Sequence, residues 1–217
     1  MKNLISVEES IIKAVEELNE TKVIRLASKA LNAGMDPLFL LDLIKEGVKR
    51  VGKLYEDQKY FIADLIMAGL IFKEVLELEK MKLKFQRKSN EILGRVIVGT
   101  VKGDLHDIGK EIFEGLMKAN GFEAIDLGVD VSKEVFTKSV IKYKPDIVAL
   151  SGVLTSTIDS MKEIVDALVE AGVRNDVKII LGGSHLTKEA CDYIGADFYT
   201  NDASEGVRLC KQMLGKI

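Results

Sequence analysis

The chain has 217 residues, of which 47% are hydrophobic and 30% are charged, and its formal net charge is −3. This length is comfortable for two small domains, and a nearly neutral chain without a long Lys/Arg cluster argues against nucleic acid as the main partner. The N-terminus lacks a secretory signal, and no apolar run approaches the length of a membrane span. We therefore expect a cytoplasmic protein that does not bind membranes.

Residues 1–88 are predicted to be helical throughout, as a four-helix bundle. Ser6 and Glu9 form a capping box before the first helix, while Asp36 and Pro37 match the N-cap and first position of the third. The four helical patterns are IIKAVEEL, VIRLASKAL, LFLLDLIKEGVKRVGKLYEDQ and FIADLIMAGLIFKEVLELEKMKL. Their short connections favour a small bundle. The end of the polar stretch that follows, residues 89–93, is predicted to be a linker.

Residues 94–217 change pattern, because short apolar runs now alternate with helical stretches. The predicted strands are RVIVGT, EAIDLG, DIVALS, VKIILGG and DFYT, and each is followed by a helical pattern. This βα alternation predicts an α/β domain with a five-strand parallel sheet and helices on both faces. The length favours a flavodoxin-like, Rossmann-like strand order over a full dinucleotide-binding fold.

Unusual residues follow several of these strands, and ligands of doubly wound sheets bind beyond the carboxyl ends of the strands. KGDLHDIG follows the first strand, SGVLTST the third, GGSH the fourth and TNDAS the fifth. From spacing alone, His106 has two interpretations. It is either a metal ligand oriented by Asp104, or an exposed residue beside a helix that Asp104 or Asp107 caps. The loop lacks ligand spacing for zinc and the Gly-Lys-Ser/Thr of a phosphate loop.

Three of these motifs resemble a cobalamin-binding signature. DLHDIG at Asp104–Gly109, SGV at Ser151–Val153 and GG at Gly182–Gly183 match Asp-x-His-x-x-Gly, Ser-x-Leu and Gly-Gly in order and separation. The helical half is similar to the cap module that precedes this domain in methionine synthase and in methyltransferase corrinoid proteins. Over nearly its whole length, the chain resembles the stand-alone corrinoid proteins of methyltransferase systems.

The resemblance implies that cobalamin or a related corrinoid is the cofactor and that His106 is the lower axial cobalt ligand. Asp104 would bond the other imidazole nitrogen, and Thr157 would complete this relay. The nucleotide tail of the cofactor would pass the residues Gly109, Ser151, Thr155, Gly182 and Gly183, and the segment from Tyr199 to Ala203 would close around its end. In the helical half, Tyr55 and Ile62 would touch the upper face of the corrin, although by pattern alone both are ordinary bundle-core positions.

The function implied is that of a methyl-carrier subunit, without turnover alone. It would accept a methyl group from a substrate methyltransferase, with a methylamine, methanol, a quaternary amine or a methoxylated aromatic as donor. A second methyltransferase would pass the methyl group to coenzyme M or tetrahydrofolate, and a reductive activase would be a further partner. The same signature occurs in subunits of adenosylcobalamin-dependent mutases and in cobalamin-dependent sensors, which are the alternatives. The helical cap favours the carrier over the mutase, and residues 1–88 show no basic recognition helix for a DNA-binding sensor.

Overall fold

The structure is a computed structural model of the chain, and it describes residues 6–84 and 92–216. The described residues divide into two compact units at the gap between these ranges. Most of the predicted linker, residues 89–91 of 89–93, lies outside the described residues.

The first unit is helical, and α1 and α3 begin at the caps that the sequence predicts. The elements are α1 (Val7–Glu16), α2 (Glu20–Asn32), α3 (Pro37–Glu56), α4 (Ile62–Leu76) and α5 (Glu79–Lys84). The Ser6 side chain accepts the Glu9 N–H at 3.1 Å, and Asp36 Oδ1 accepts the Leu38 N–H at 2.8 Å. α1 packs on α2 and α3, and α4 packs on α2 and α3. These contacts bury one apolar stripe of each helix in a common core.

The fourth predicted helix is in fact two helices, α4 and α5. The Leu78 N–H bonds back to the Val75 carbonyl at 3.2 Å, which closes α4. The α5 segment then buries Met81 completely and places Lys80 Nζ 3.0 Å from the Leu31 carbonyl at the end of α2. A periodicity of apolar residues runs through both helices, so the pattern alone does not reveal the break.

The second unit is an α/β domain, as predicted. Its strands are β1 (Gly94–Thr100), β2 (Phe122–Asp126), β3 (Ile147–Ser151), β4 (Lys178–Gly182) and β5 (Phe198–Thr200). Its α-helices are α6 (Ile108–Ala119), α7 (Lys133–Tyr143), α8 (Thr157–Glu170), α9 (Lys188–Ile194) and α10 (Ala203–Met213). The five strands form one parallel sheet in the order β2-β1-β3-β4-β5. This is the flavodoxin-like order, with the switch in strand order between β1 and β3.

Helices cover both faces of this sheet. α6 and α10 pack together, and α8 packs on α7 and α9. The inner strands are buried on both faces, so that Ile97, Leu150 and Leu181 share one core with Phe136 and Met161. Among the described residues, no helix combines the length and the apolar character of a membrane span.

Candidate functional site

The loops with unusual residues meet because four strands end in the same row of the sheet. Thr100 at the end of β1 pairs with Ser151 of β3, Ser151 with Gly182 of β4, and Gly182 with Thr200 of β5. The sequence motifs therefore begin side by side at one edge, which confirms the predicted convergence. The edge lies at the switch point, where the loops of β1 and β3 lead to helices on opposite faces, and this is where ligands of such sheets generally bind.

His106 and Asp104 form a close pair in the loop after β1. His106 Nδ1 lies 2.5 Å from Asp104 Oδ1, and the same oxygen accepts the His106 backbone N–H at 3.0 Å. The Asp104 side chain is completely buried, whereas 58% of the His106 side chain is exposed. Because Asp104 occupies Nδ1, the ring nitrogen left for a metal is Nε2. A buried carboxylate behind an exposed imidazole is the usual way to fix the orientation and basicity of a metal-binding histidine.

The helix-cap interpretation of Asp104 is wrong. Its second oxygen, Oδ2, accepts the backbone N–H of Val153 at 2.6 Å and more weakly that of Leu154 at 3.4 Å. Both Asp104 oxygens are thus used by the histidine loop and by the loop after β3, and neither caps a helix. Asp107 occupies the N-cap position of α6, but its side chain makes no capping hydrogen bond. The motif DLHDIG therefore positions Asp104 and His106 as a hydrogen-bonded pair.

The pKa of the Asp104 carboxyl is lowered. Burial alone would raise this pKa, but the hydrogen bonds from the Val153 N–H, the His106 N–H and the His106 ring outweigh it. These donors favour the charged carboxylate. Asp104 therefore stays ionised and remains an acceptor for the imidazole.

Thr157 does not complete the relay that the resemblance implied. Its hydroxyl donates to the Leu154 carbonyl at 2.6 Å, so its one proton is not available to Asp104. Thr157 is buried beneath Gly152, since a Cβ on that glycine would lie 2.5 Å from the Thr157 oxygen. The residue shapes the turn after β3, and Asp104 is held by backbone amides of that turn.

The two glycine motifs let the loops after β3 and β4 approach each other. A Cβ on Gly183 would lie 2.1 Å from the Gly152 carbonyl oxygen, and the Gly152 N–H donates to the Gly182 carbonyl at 3.0 Å. Only glycine allows two backbones to come this close. The Gly183 N–H also donates to the Thr200 carbonyl at 3.2 Å, so the loop after β5 joins the same assembly.

The structure brings some of the remaining predicted residues to this edge and leaves others on neighbouring surfaces. Gly109 is exposed in the first turn of α6, with no atom within 4 Å of the place where a Cβ would lie. Thr155 is exposed in the turn after β3, and Ala203 is partly buried at the start of α10. Tyr199 lines a different cavity of about 530 Å³, between α9, the edge strand β5 and α10.

Tyr55 and Ile62 belong to the first unit, and the pattern-based expectation that they are bundle core is wrong. Tyr55 is 42% exposed and Ile62 is 62% exposed. Ile62 continues into Ile66 and Leu70, which are exposed at the four-residue spacing of one helix face. α4 thus has a second apolar face, opposite the one that packs in the bundle.

Sequence reasoning missed two polar features near the strand ends. Lys110 is 3% exposed and pairs with Asp126 Oδ2 at 2.5 Å. Both ring nitrogens of His185 are buried without a hydrogen-bond partner in the described residues. A lysine in the first turn of a helix opposes the helix dipole, and that unusual position was a signal for Lys110. The GGSH motif marked the position of His185 but not the burial of its ring nitrogens, which depends on the packing of its loop.

Comparison with known proteins agrees with this geometry. A B12 binding domain model matches residues 94–208, and a second B12 binding domain model matches residues 7–79. The trimethylamine corrinoid protein 2 of Methanosarcina mazei is 35% identical over 95% of this chain and 97% of its own length. The structure of the Methanosarcina barkeri monomethylamine corrinoid protein superposes with a TM-score of 0.88 at 27% identity, covering 95% of this chain and 97% of that one.

A structure of the methanol:cobalamin methyltransferase complex from Methanosarcina barkeri also matches. Its TM-score is 0.55 at 27% identity, over 100% of this chain and 82% of that chain. The fold and site thus define a B12-binding protein with a helical N-terminal unit. The chain belongs to the corrinoid protein family, and its cofactor is a corrinoid.

The residues of this chain fit such a cofactor. The His106 side chain is more than half exposed and Asp104 bonds to its Nδ1, so Nε2 can bind a metal that already has the nitrogen ligands of a corrin ring. Gly109 leaves open space where a tail could lie directly against the backbone. Gly152 and Gly183 instead let the loops after β3 and β4 pack closely against each other.

Proposed function

We propose that this protein is the methyl-carrier subunit of a methyltransferase system that uses methylated amines. The observation that carries the proposal is the exposed imidazole of His106, which a fully buried carboxylate holds by Nδ1. The similarity to trimethylamine and monomethylamine corrinoid proteins over 95% of the chain supports an amine as the donor.

A bound corrinoid supplies a cobalt centre that can take up a methyl group and release it again, and the protein supplies position and tuning. His106 Nε2 would coordinate the cobalt from the lower face of the corrin ring. Asp104 would keep the imidazole oriented and basic, because its buried carboxylate accepts the Nδ1–H. The amides of Val153 and Leu154 would keep Asp104 in place.

The glycine loops would hold the nucleotide tail. Five of the residues assigned to the tail lie on or next to the row of strand ends: Gly109, Ser151, Thr155, Gly182 and Gly183. The loop after β5 is flanked by Tyr199 and Ala203. In the first unit, Tyr55 and Ile62 would contact the upper face of the corrin. Their exposure supports this role, since an apolar surface of this kind is suited to an apolar ligand.

The partners in this proposal are a substrate methyltransferase, a second methyltransferase that delivers the methyl group to coenzyme M or tetrahydrofolate, and a reductive activase. The similarity to a chain of the methanol:cobalamin methyltransferase complex supports a partner of the first kind. The protein would carry the methyl group between these enzymes and would not turn over by itself.

The test uses both histidines of the chain, since it has only two. His106→Ala should remove the nitrogen splitting that an axial imidazole gives to the electron paramagnetic resonance signal of the Co(II) form. His185→Ala is the matched control and should keep that splitting. An unchanged splitting in His106→Ala, or its loss in His185→Ala, would contradict the assignment of the ligand.

The same variants test the reaction. The reduced holoprotein is combined with a candidate methyltransferase from the same organism and offered mono-, di- and trimethylamine, methanol and a methoxylated aromatic compound. We expect methylation of the cofactor from an amine with wild type and His185→Ala, and much slower methylation with His106→Ala. Methylation from methanol or the aromatic donor alone would overturn the amine assignment.

A further inference from the structure

The ion pair between the buried Lys110 and the partly exposed Asp126 lies beside the loop after β1 that carries His106, called the ligand loop below, and it has no role in the function proposed so far. Lys110 is in the first turn of α6, and its side chain is 2% exposed. A cation at this end of a helix opposes the dipole, and burying a lysine costs free energy even when it is paired. The stability of α6 therefore does not explain the pair.

Hydrogen bonds connect this pair to the backbone of His106. Asp126 uses Oδ2 for Lys110 Nζ and Oδ1 for the Gly128 N–H, at 2.5 and 2.9 Å. The Gly128 carbonyl accepts the N–H of Thr100 at 3.0 Å. The hydroxyl of Thr100, which is completely buried, donates to the His106 carbonyl at 3.0 Å. The ligand loop is thus connected to the end of β2 by two routes. One consists of these hydrogen bonds, and the other is the covalent chain from His106 to Lys110, which pairs with Asp126.

The segment after β2 also holds the other side of the ligand loop. Asp130 Oδ1 accepts the Gly103 N–H at 2.8 Å, and the Asp130 N–H donates to the Asp104 carbonyl at 3.1 Å. Residues 126–131 therefore bond directly to Gly103 and Asp104 of the ligand loop. Through Thr100, they are also connected to the carbonyl of His106. Lys110 fixes the first residue of this segment.

We propose that Lys110 is a positioning residue for His106, and that it acts through Asp126, Gly128 and Thr100. The pair would set how completely the imidazole is presented to the cobalt, without touching the cofactor. The inference rests on the proposed role of His106 as the axial ligand.

The test compares two nearly isosteric variants with a control on the same helix. Lys110→Met removes the charge, and Asp126 tolerates this because its side chain is one-third exposed. Thr100→Val removes only the hydroxyl that bonds to His106. Lys118→Met is the control, because Lys118 pairs with Glu114 at 2.5 Å on an exposed part of α6.

We expect Lys110→Met and Thr100→Val to lower the corrinoid affinity about 10-fold or more, the range seen when a partner of a metal-binding histidine is removed. At saturating corrinoid, both should show a smaller fraction of Co(II) with imidazole nitrogen splitting, and Lys118→Met should match the wild type. Full splitting in Lys110→Met and Thr100→Val would overturn the proposal.

A double-mutant cycle separates positioning from a general loss of stability. If Lys110 acts through His106, Lys110→Met should not reduce the corrinoid affinity further in the His106→Ala background. Additive losses would overturn the proposal, because they would mean that Lys110 supports the fold or contacts the cofactor by another route.

The apo protein gives a readout that does not depend on the axial ligand. The Nδ1–H proton of His106, which bonds to Asp104, should give a downfield nuclear magnetic resonance signal in wild type and Lys118→Met. It should shift or broaden in Lys110→Met and Thr100→Val, and an unmoved signal would count against the proposal. If wild-type holoprotein lacks the nitrogen splitting while the apo signal responds as expected, the ligand assignment has failed and the positioning of the His106 loop stands.

Discussion

At the scale of single residues, Asp104 shows how one carboxylate can join two loops. Its Oδ1 bonds to His106 and its Oδ2 to the amide of Val153, almost 50 residues later in the chain. The sequence motif predicts the first bond, because Asp104 and His106 are two residues apart. It does not predict the second, which requires the pairing of β1 with β3.

The lowered pKa of Asp104 makes its contribution to stability dependent on pH. An acid with a lowered folded pKa stabilises the fold fully above its unfolded pKa, which is 3.8 for an ordinary Asp side chain, and the stabilisation is lost as the pH falls through the lower folded pKa. Asp104→Asn should therefore lower the free energy of unfolding by about 1–3 kcal/mol at pH 7.

Urea unfolding of the apo proteins between pH 7 and pH 3 measures this difference. The gap between wild type and Asp104→Asn should narrow as the pH falls below about 5 and should continue to narrow below the unfolded pKa. A gap that is constant with pH would show that the carboxylate charge does not contribute to the stability of the loop.

At the scale of elements, the common row of strand ends builds the site. Short apolar runs predict each strand, and parallel connections place all their carboxyl ends at one edge. The exact row, Thr100 to Ser151 to Gly182, is a matter of register. Register depends on how the side chains of different strands pack. The sequence therefore indicates the edge of the sheet but not which residues of neighbouring strands lie side by side there.

Alanine substitutions of Gly183 and Gly109 should have different effects on the free energy of unfolding. A Cβ on Gly183 would overlap the Gly152 carbonyl, so Gly183→Ala should cost about 1–3 kcal/mol or more of unfolding free energy. Gly109→Ala meets open space within a helix, and we expect unchanged stability or a gain of up to about 1 kcal/mol.

Urea midpoints of the apo proteins measure the effect on stability, and corrinoid titration measures the effect on the site. Gly109→Ala should bind corrinoid more weakly despite its stable fold, because the methyl group enters the proposed path of the tail. Equal urea midpoints for Gly183→Ala and wild type would mean that the loops after β3 and β4 can separate without cost.

At the scale of the whole molecule, the described residues form two units that each bury their own apolar residues. The first unit encloses residues such as Ile11, Leu40 and Phe72, and the second encloses the sheet core around Ile97 and Leu150. This agrees with the change of pattern in the sequence. The position of the linker between them stays a prediction, because most of it falls outside the described residues.

A fragment of residues 92–217 should therefore fold alone, since the strands and helices of the second unit supply its core. Circular dichroism during urea unfolding should show a cooperative transition. A fragment that starts at residue 102 is the control and should not fold, because it lacks β1, which pairs with β2 and β3. If residues 92–217 unfold without a transition while the full chain shows one, the second unit is not an independent domain.

The sequence by itself determined the order and type of the elements, apart from the break between α4 and α5, and the change from a helical to an α/β pattern. It also brought Asp104 and His106 within two residues of each other, although spacing alone left their role open. These depend on local periodicity and on residues close together in the chain. Only the tertiary structure decided what Thr157 bonds to, which face of α4 is exposed and how Lys110 is paired with Asp126. The Thr157 bond depends on the conformation of the turn after β3, the exposed face of α4 depends on how the helices pack, and the pair of Lys110 and Asp126 depends on the packing of α6 against β2. A one-residue change of strand register would move the side chains of that strand to the other face of the sheet.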